Sequence, residues 1–258
     1  MKIQKQVWAL ALLGAASGAV LAQTEPPAAG PENTLAYNAG VVSEYRYRGI
    51  SQSRFDPALQ GGIDFTHSSG FYLGAWASTI RWIQDAGTLA GVNTKGPVEL
   101  DLYGGYKGEL GKDLNYDLGY LRYEYAGNSL SRATGANANT DELYAALSWG
   151  QFTAKYSQSV SNLFGTPDSK GSGYLDLSAS LDLGSGWTLA PHVGRQLVKN
   201  NGLVSYNDYA LTLTKDLGNG LSLSGAALGT DARNGAYVSP AGQNLGRSTV
   251  VLGAKYSF

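Results

Sequence analysis

The chain has no cysteine, one methionine and two histidines among its 258 residues. Without thiols it has neither disulfide staples nor thiolate metal centres, although exported chains often carry the former. With only His67 and His192, it has little material for histidine-based catalysis. No run approaches the roughly 20 apolar residues that a bilayer-crossing helix requires. Charge is sparse and mixed, with 19 basic and 20 acidic residues and a net charge of −1. No block of one sign marks a nucleic-acid-binding surface or a charged tail, so no nucleic-acid partner is expected. What is abundant is glycine, 35 residues, and tyrosine, 17 residues. That composition suits strands that meet water on one side and an apolar phase on the other.

The N-terminus has the layout of an export signal. Lys2 and Lys5 supply a positive start, Val7 to Leu13 a short apolar centre, and Val20-Leu21-Ala22 a small-residue cleavage signature. Residues 1–22 are therefore expected to be removed. Without Lys2 and Lys5 the balance is 17 basic against 20 acidic residues. Residues 23–34 open with QTEPPAAGP, a Pro-rich segment expected to be a flexible periplasmic lead-in. An exported chain without a spanning helix enters a membrane only as a closed β-barrel, because every backbone polar group needs a partner there.

Residues 35–258 carry the period-2 signal of such a barrel. At the C-terminus Val250, Leu252, Ala254, Tyr256 and Phe258 share one side, and Thr249, Gly253, Lys255 and Ser257 share the other, interrupted only by Val251. The first run sets Tyr37, Ala39, Val41, Ser43, Tyr45 and Tyr47 against Asn38, Gly40, Val42, Glu44, Arg46 and Arg48. Similar runs cover Val98 to Lys107 and Tyr174 to Leu183. Those near Asn115 to Tyr125 and Trp187 to Val198 alternate less cleanly, which suggests a bulge or shifted register.

Connection lengths alternate. Short Gly-rich turns occur at His67–Gly70, Gly108–Lys112, Trp149–Gln151, Leu183–Gly186 and Leu217–Gly220. Between them lie longer links at Ile50–Asp56, Arg81–Gly96, Gly127–Thr140, Ser161–Gly173, Lys199–Ser205 and Asp231–Gly246. Five short turns and six longer links join about twelve antiparallel strands, with both termini on the short-turn side. Outer-membrane barrels sort their turns in this way, with short periplasmic and longer external connections. Phe71, Tyr116, Trp149, Phe152, Trp187 and Phe258 fall near the short turns or the terminus and suit a lower aromatic girdle. Trp82, Tyr125, Phe164 and Tyr237 lie near the long links and suit an upper rim. The repeated sequences Asp182–Trp187 (DLGSGW) and Asp216–Leu221 (DLGNGL) read as one hairpin used twice.

If the apolar faces point outward, the opposite faces line a lumen. The pore-lining candidates are Glu44, Arg46, Arg48, Gln60, Asp64, Glu99, Asp101, Lys107, Glu142, Lys155, Asp176, Asp182 and Arg195. Arg46 and Arg48 are two residues apart and are expected to share a face near the first outer loop. They suit an anion pathway or, alternatively, ion pairs with Glu44, Asp64, Glu99 or Asp101 that fill the lumen. The carboxylates Glu99 and Asp101 lack a third metal ligand, so no cofactor or metal is expected. His67 beside Ser68 has no triad pattern, and His192 falls in an irregular strand, so no catalytic residue is assigned.

Four motifs carry a family resemblance. They are NAGVVSEYRYRGISQ (Asn38, Gly40, Ser43, Tyr45, Arg48, Gly49, Ser51, Gln52), PALQGGIDF (Pro57, Gln60, Gly61, Gly62, Asp64), GFYLGAWAS (Gly70, Phe71, Tyr72, Gly74, Trp76, Ser78) and ELDLYGG (Glu99, Asp101, Tyr103, Gly105). In order and spacing this N-terminal third resembles the TorF-family porins, with weaker echoes in YDLGYLRYEYAG and SNLFG. Thr79 stands where that family's pattern has Asn, and Ala126 where it has Pro. The resemblance implies an outer-membrane pore and names no solute.

The leading expectation is thus a narrow channel for passive diffusion of small hydrophilic solutes in the outer membrane of a Gram-negative bacterium. Its partners would be outer-membrane lipid and lipopolysaccharide, and the barrel-assembly machinery acting through the strand that ends at Phe258. The competing expectations are a barrel plugged by ion pairs, with Arg81–Gly96 folded inward or not, a lipid-acting barrel enzyme, and a soluble lipocalin-like barrel with its apolar side inside.

Overall fold

Alternating apolar and polar side chains become extended wall strands wherever a neighbour supplies the hydrogen-bond ladder. The computed structural model describes residues 32–135 and 137–258, so the expected leader and most of the lead-in lie outside the described residues. In chain order the extended segments are β1 (Asn33–Val42), β2 (Arg46–Tyr47), β3 (Ile50–Ser51), β4 (Ala58–His67), β5 (Phe71–Thr79), β6 (Val98–Gly111), β7 (Leu114–Glu124) and β8 (Thr140–Trp149). They continue as β9 (Phe152–Ser159), β10 (Gly173–Ala179), β11 (Leu181–Gly184), β12 (Trp187–Leu197), β13 (Tyr206–Gly218), β14 (Leu221–Thr230) and β15 (Thr249–Ser257). Helix α1 (Trp82–Leu89) follows β5, and the one-turn helix α2 (Ser131–Thr134) follows β7.

β10 and β11 are two halves of one strand, and β2 with β3 forms a separate small hairpin, so the wall has twelve strands. All wall pairings are antiparallel between sequence neighbours. The ring closes where β1 pairs with β15, from Asn38 opposite Ser257 to Val42 opposite Gly253. The Phe258 amide adds one more bond, to Tyr37 O at 3.0 Å. The break at Ser180 falls where Pro191 on β12 would stand opposite β10, and proline has no N–H for the ladder.

Register shifts lie at Leu110, Leu183 and Leu217, each just before a short turn. They do not lie inside β7 or β12, where the irregular alternation suggested them. The repeated hairpin is one device used twice. Asp182 Oδ1 accepts from Gly184 N, and Asp216 Oδ1 accepts from Gly218 N, each at 2.8 Å. Ser185-Gly186 and Asn219-Gly220 then turn with positive φ at both positions, the geometry that matches strand twist.

Sidedness is the reverse of a soluble protein. Leu73, Leu118, Leu143, Val193 and Leu252 are exposed on the outside of the ring, whereas Glu99, Glu142 and Asp208 are buried within it. Of the expected girdle residues, Phe71, Trp149, Phe152, Trp187 and Phe258 are exposed at the short-turn end, and Tyr116 is half-buried beside the Tyr106 ring. The main apolar cluster inside the ring lies in the long-loop half. There Tyr45, Tyr47, Ile80, Ile83, Tyr123 and Tyr125 pack with Val42, Leu228 and Val251.

Candidate functional site: a lumen entered by a hairpin

The first expected strand does not run to Arg48. Wall pairing ends at Val42; Ser43 N bonds Leu252 O at 2.8 Å, and the chain then turns into the barrel. The hairpin of β2 and β3 pairs Arg46 with Ser51 and Tyr47 with Ile50 around Arg48-Gly49, which have φ of 45° and 77°. Tyr45 and Tyr47, expected on the outer face, are buried in the lumen with the rest of the hairpin. Glu44, Arg46 and Arg48 are buried inside the ring, at the entry to this hairpin and within it, and not on a wall strand.

Arg46 and Arg48 do not share a face. Arg46, fully buried, pairs through Nε with Glu44 at 2.7 Å. Its Nη1 donates to the carbonyls of Gly49, Leu245 and Arg247 at 2.8, 2.9 and 3.0 Å. Arg48 sits in the turn and reaches the far wall, with Nη2 2.7 Å from Glu142 Oε2 and Nη1 2.7 Å from Gln196 Oε1. Its guanidinium also lies 4.1 Å from the centre of the Tyr174 ring and 4.8 Å from that of Tyr47. Tyrosine hydroxyls complete the anchoring. Glu99 accepts from Tyr45 at 2.5 Å and from Tyr125 at 2.7 Å, and the Tyr47 and Tyr123 hydroxyls are 2.8 Å apart. The hairpin is therefore bonded to β6, β7, β8 and β12 at once.

The segment Arg81–Gly96 folds over the hairpin. Arg81 N and Trp82 N donate to Gln52 O at 2.8 and 3.1 Å, and Asp85 pairs with Arg54. Trp82 packs edge-on against Tyr125, their centres 5.2 Å apart. Above the hairpin, at the long-loop end, is a cavity of about 410 Å³ whose lining includes Trp82, Tyr125, Phe164, Tyr206 and Tyr237. Trp82, Tyr125, Phe164 and Tyr237, expected as an outward upper rim, thus line the inside.

The short-turn half of the lumen is lined by tyrosines, lysines and carboxylates. Tyr103 donates to Asp64 at 2.5 Å, Tyr72 donates to Asp117 at 2.6 Å, and the hydroxyls of Tyr72 and Tyr144 are in contact. Lys155 Nζ lies 3.9 Å from the Tyr144 ring centre and Lys107 Nζ 5.6 Å from that of Tyr72. Close approach of these rings to the next strand depends on glycine, since a Cβ on Gly74 or Gly119 would meet Tyr103 at 2.3 Å or Tyr144 at 2.4 Å. To one side His192 bridges two acids, with Nδ1 3.0 Å from Asp176 and Nε2 2.7 Å from Asp208. Tyr174 donates to Asp208 at 3.1 Å and carries Arg48 on its ring face, so this cluster also supports the hairpin.

Of the other sequence candidates, Gln60, Asp64, Glu99, Asp101, Lys107, Glu142, Lys155 and Asp176 face the lumen from the wall strands, as their registers require. Asp182 lies at the short-turn mouth as a turn acceptor. Arg195 is a correction. It pairs across with Leu175 and shares the outer face with Val193 and Leu197, while Gly194 and Gln196 point inward. Its charge is tolerated there because it lies at the loop end of β12, donating to Asn207 Oδ1 at 3.2 Å. Asp231 lies alongside, accepting from the Asn207 backbone N–H and side-chain amide, each at 2.6 Å. The backbone N–H bond is the chief reason its carboxyl is held below the usual range.

Sequence reasoning missed Asp117, Tyr174, His192 and Asp208 as partners, and it missed the hairpin. The hairpin's one local signal is the Arg48-Gly49 step flanked by Tyr47 and Ile50, a two-residue turn pattern. Gly49 approaches the wall so closely that a Cβ would meet Thr230 Cγ2 at 2.4 Å and Asp208 Cβ at 2.9 Å.

The family model described as "Bacterial protein of unknown function (Gcw_chp)" matches residues 25–258, and the chain belongs to that family. No curated protein sequence matches it. Among solved structures the chain is similar to the KdgM porin, with TM-score 0.53 and 8% identity over 87% of this chain and 98% of that one. It is also similar to the NanC porin, with TM-score 0.55 and 13% identity over 86% and 99% of the two chains. A third similarity is to an outer membrane channel from Pseudomonas putida F1, with TM-score 0.51 and 13% identity over 91% and 99%. At these identities the likeness concerns the fold: a closed twelve-stranded antiparallel barrel.

Proposed function

We propose that this Gcw_chp-family protein is a porin-like channel of the Gram-negative outer membrane, through which small hydrophilic solutes diffuse passively past an inward hairpin. The observation that carries this reading is the reversed sidedness of a closed barrel. A ring of exposed Leu, Val and aromatic side chains encloses Glu99, Asp101, Lys107, Glu142, Lys155 and Asp176. Such a surface is stable against hydrocarbon, and such an interior holds water and offers weak, repeated contacts to a passing solute. The fold it shares with porins and the motif resemblance to TorF-family porins agree with it. The terminal strand ending in exposed Phe258 is the proposed handle for the barrel-assembly machinery, with lipid and lipopolysaccharide as the surrounding partners. Both histidines hold structural contacts: His67 with Ser69, His192 between Asp176 and Asp208. The proposal therefore includes no catalytic step.

A second reading is favoured by the hairpin itself, which is bonded to four wall strands and could make the barrel non-conducting. Planar-bilayer recording of the refolded protein separates the two. Discrete conductance steps above background are expected, and their absence in bilayers shown to contain folded, heat-modifiable barrel would leave only the plugged reading.

A further inference from the structure

The cavity above the hairpin combines three features that together specify a ligand class. Its walls are rings brought from six separate chain segments: Tyr47, Trp82, Tyr125, Phe164, Tyr206 and Tyr237. Two of its lining residues carry a neutral hydrogen-bonding group that has no partner among the described residues. Gln52 uses its amide N–H₂ on Ile50 O, leaving its side-chain carbonyl oxygen as an unused acceptor. The Tyr206 hydroxyl is likewise unused. Finally, the charged groups beneath and beside the cavity are already engaged: Arg48 pairs with Glu142, Arg46 with Glu44 and Arg54 with Asp85, while Glu99 accepts from the Tyr45 and Tyr125 hydroxyls.

These features exclude alternatives by cost. An anionic solute would give up its hydration here without finding a free cation, and a cationic one would meet only Glu99, buried and already bonded by two tyrosine hydroxyls. A purely apolar molecule would leave the Gln52 amide oxygen and the Tyr206 hydroxyl unpaired. The molecule that satisfies both demands is uncharged, has a flat face of C–H groups to lie against aromatic rings, and has hydroxyls at its rim. We infer that this cavity is a binding site for an uncharged saccharide. Its size falls within the range of small-molecule sites. The inference deepens the channel reading by naming the class of solute met at the long-loop mouth, but the binding itself does not require conduction.

The test uses the full refolded protein in detergent micelles, titrated with glucose, glucuronate and indole while the heat of binding is followed by calorimetry. Glucose is expected to bind, with glucuronate and indole each weaker by roughly tenfold. Gln52→Leu removes the amide oxygen at similar side-chain size, and Tyr206→Phe removes one hydroxyl. Each is expected to weaken glucose binding several-fold while heat-modifiable mobility stays normal. Glucuronate or indole binding as tightly as glucose would overturn the inference, as would glucose affinity unaltered in both variants. Glucose binding by a barrel that conducts nothing would uphold this site and sink the channel. Conductance without glucose binding would do the opposite.

Discussion

Arg48 Nη2 lies 2.7 Å from Glu142 Oε2, joining the tip of the inward hairpin to β8, five strands away around the ring of twelve. The hairpin is thus held as a strut across the lumen, and not as a loop resting at its edge. Both partners are buried, so removing one leaves the other charge without compensation. Arg48→Ala is expected to cost about 3–5 kcal/mol, the usual penalty for breaking a buried pair. The ladder of the wall remains, so the barrel should still form while the hairpin loosens. Larger and noisier conductance steps than wild type are expected in planar bilayers. Arg48→Ala combined with Glu142→Gln should recover part of the lost stability in urea titrations, because no buried carboxylate is then left unpaired.

Gly49 gives a second, independent handle on the same element. Its φ is 77°, and a methyl group added at its Cα would come within 2.4 Å of Thr230 Cγ2, so alanine meets both strain and a clash. Gly49→Ala should lower stability by roughly 1–3 kcal/mol or more, with the hairpin unseated. Gly91 is the control. Its φ of 71° is similar, but a Cβ there meets nothing within 4 Å. Gly91→Ala should cost only about 1 kcal/mol. Equal effects of the two substitutions on the denaturation midpoint would contradict the close packing of the hairpin on the wall.

The wall was legible in the sequence, and the hairpin was not, for one physical reason. Alternation reports that a segment is extended with two unlike sides, but not which neighbour pairs with it. Tyr37 to Tyr47 alternates throughout, yet only the part up to Val42 finds ladder partners on β15. Beyond it the same alternation serves a hairpin whose two sides both meet protein. Arg195 misled for a related reason. A charge on an outer face contradicts the binary pattern in mid-strand but not at the loop end, where Asn207 can take its hydrogen bond. Trp82 opens the short helix α1, and Phe164 and Tyr237 lie in loops, all outside the period-2 pattern, so their inward turn depended on tertiary packing alone. In contrast, the twelve-strand count followed from turn chemistry that repeats along the chain.

Loop anchoring at Asp231 should depend on pH. The Asn207 backbone N–H, with the Asn207 side-chain amide, holds its carboxyl below the usual range. A carboxylate with a depressed folded value stabilises the folded loop above its unfolded value near 4 and loses that contribution as pH falls through the folded value. Hydrogen exchange at the Asn207 amide, corrected for intrinsic rates, should therefore lose protection on acidification below about pH 4. Asp231→Asn should remove this acid dependence. If the wild-type and Asn variants gave the same profile, another group would control the loop.

The outer face decides whether the barrel lives in lipid. Leu118 is 53% exposed near the middle of β7, and Leu203 is 67% exposed in the loop between β12 and β13. On a surface facing water, replacing either leucine by arginine would change stability by no more than about 0.5 kcal/mol. At the midplane of a bilayer the same change costs about 2–4 kcal/mol, and near the interface it falls towards zero. Leu118→Arg should therefore destabilise the protein in lipid vesicles by that larger amount, whereas Leu203→Arg should leave it nearly unaltered. Reversible guanidinium titrations in vesicles measure both. If Leu118→Arg proved as mild as Leu203→Arg, the exposed leucines would not face hydrocarbon, and the lumen would lose its meaning as a passage between two aqueous compartments.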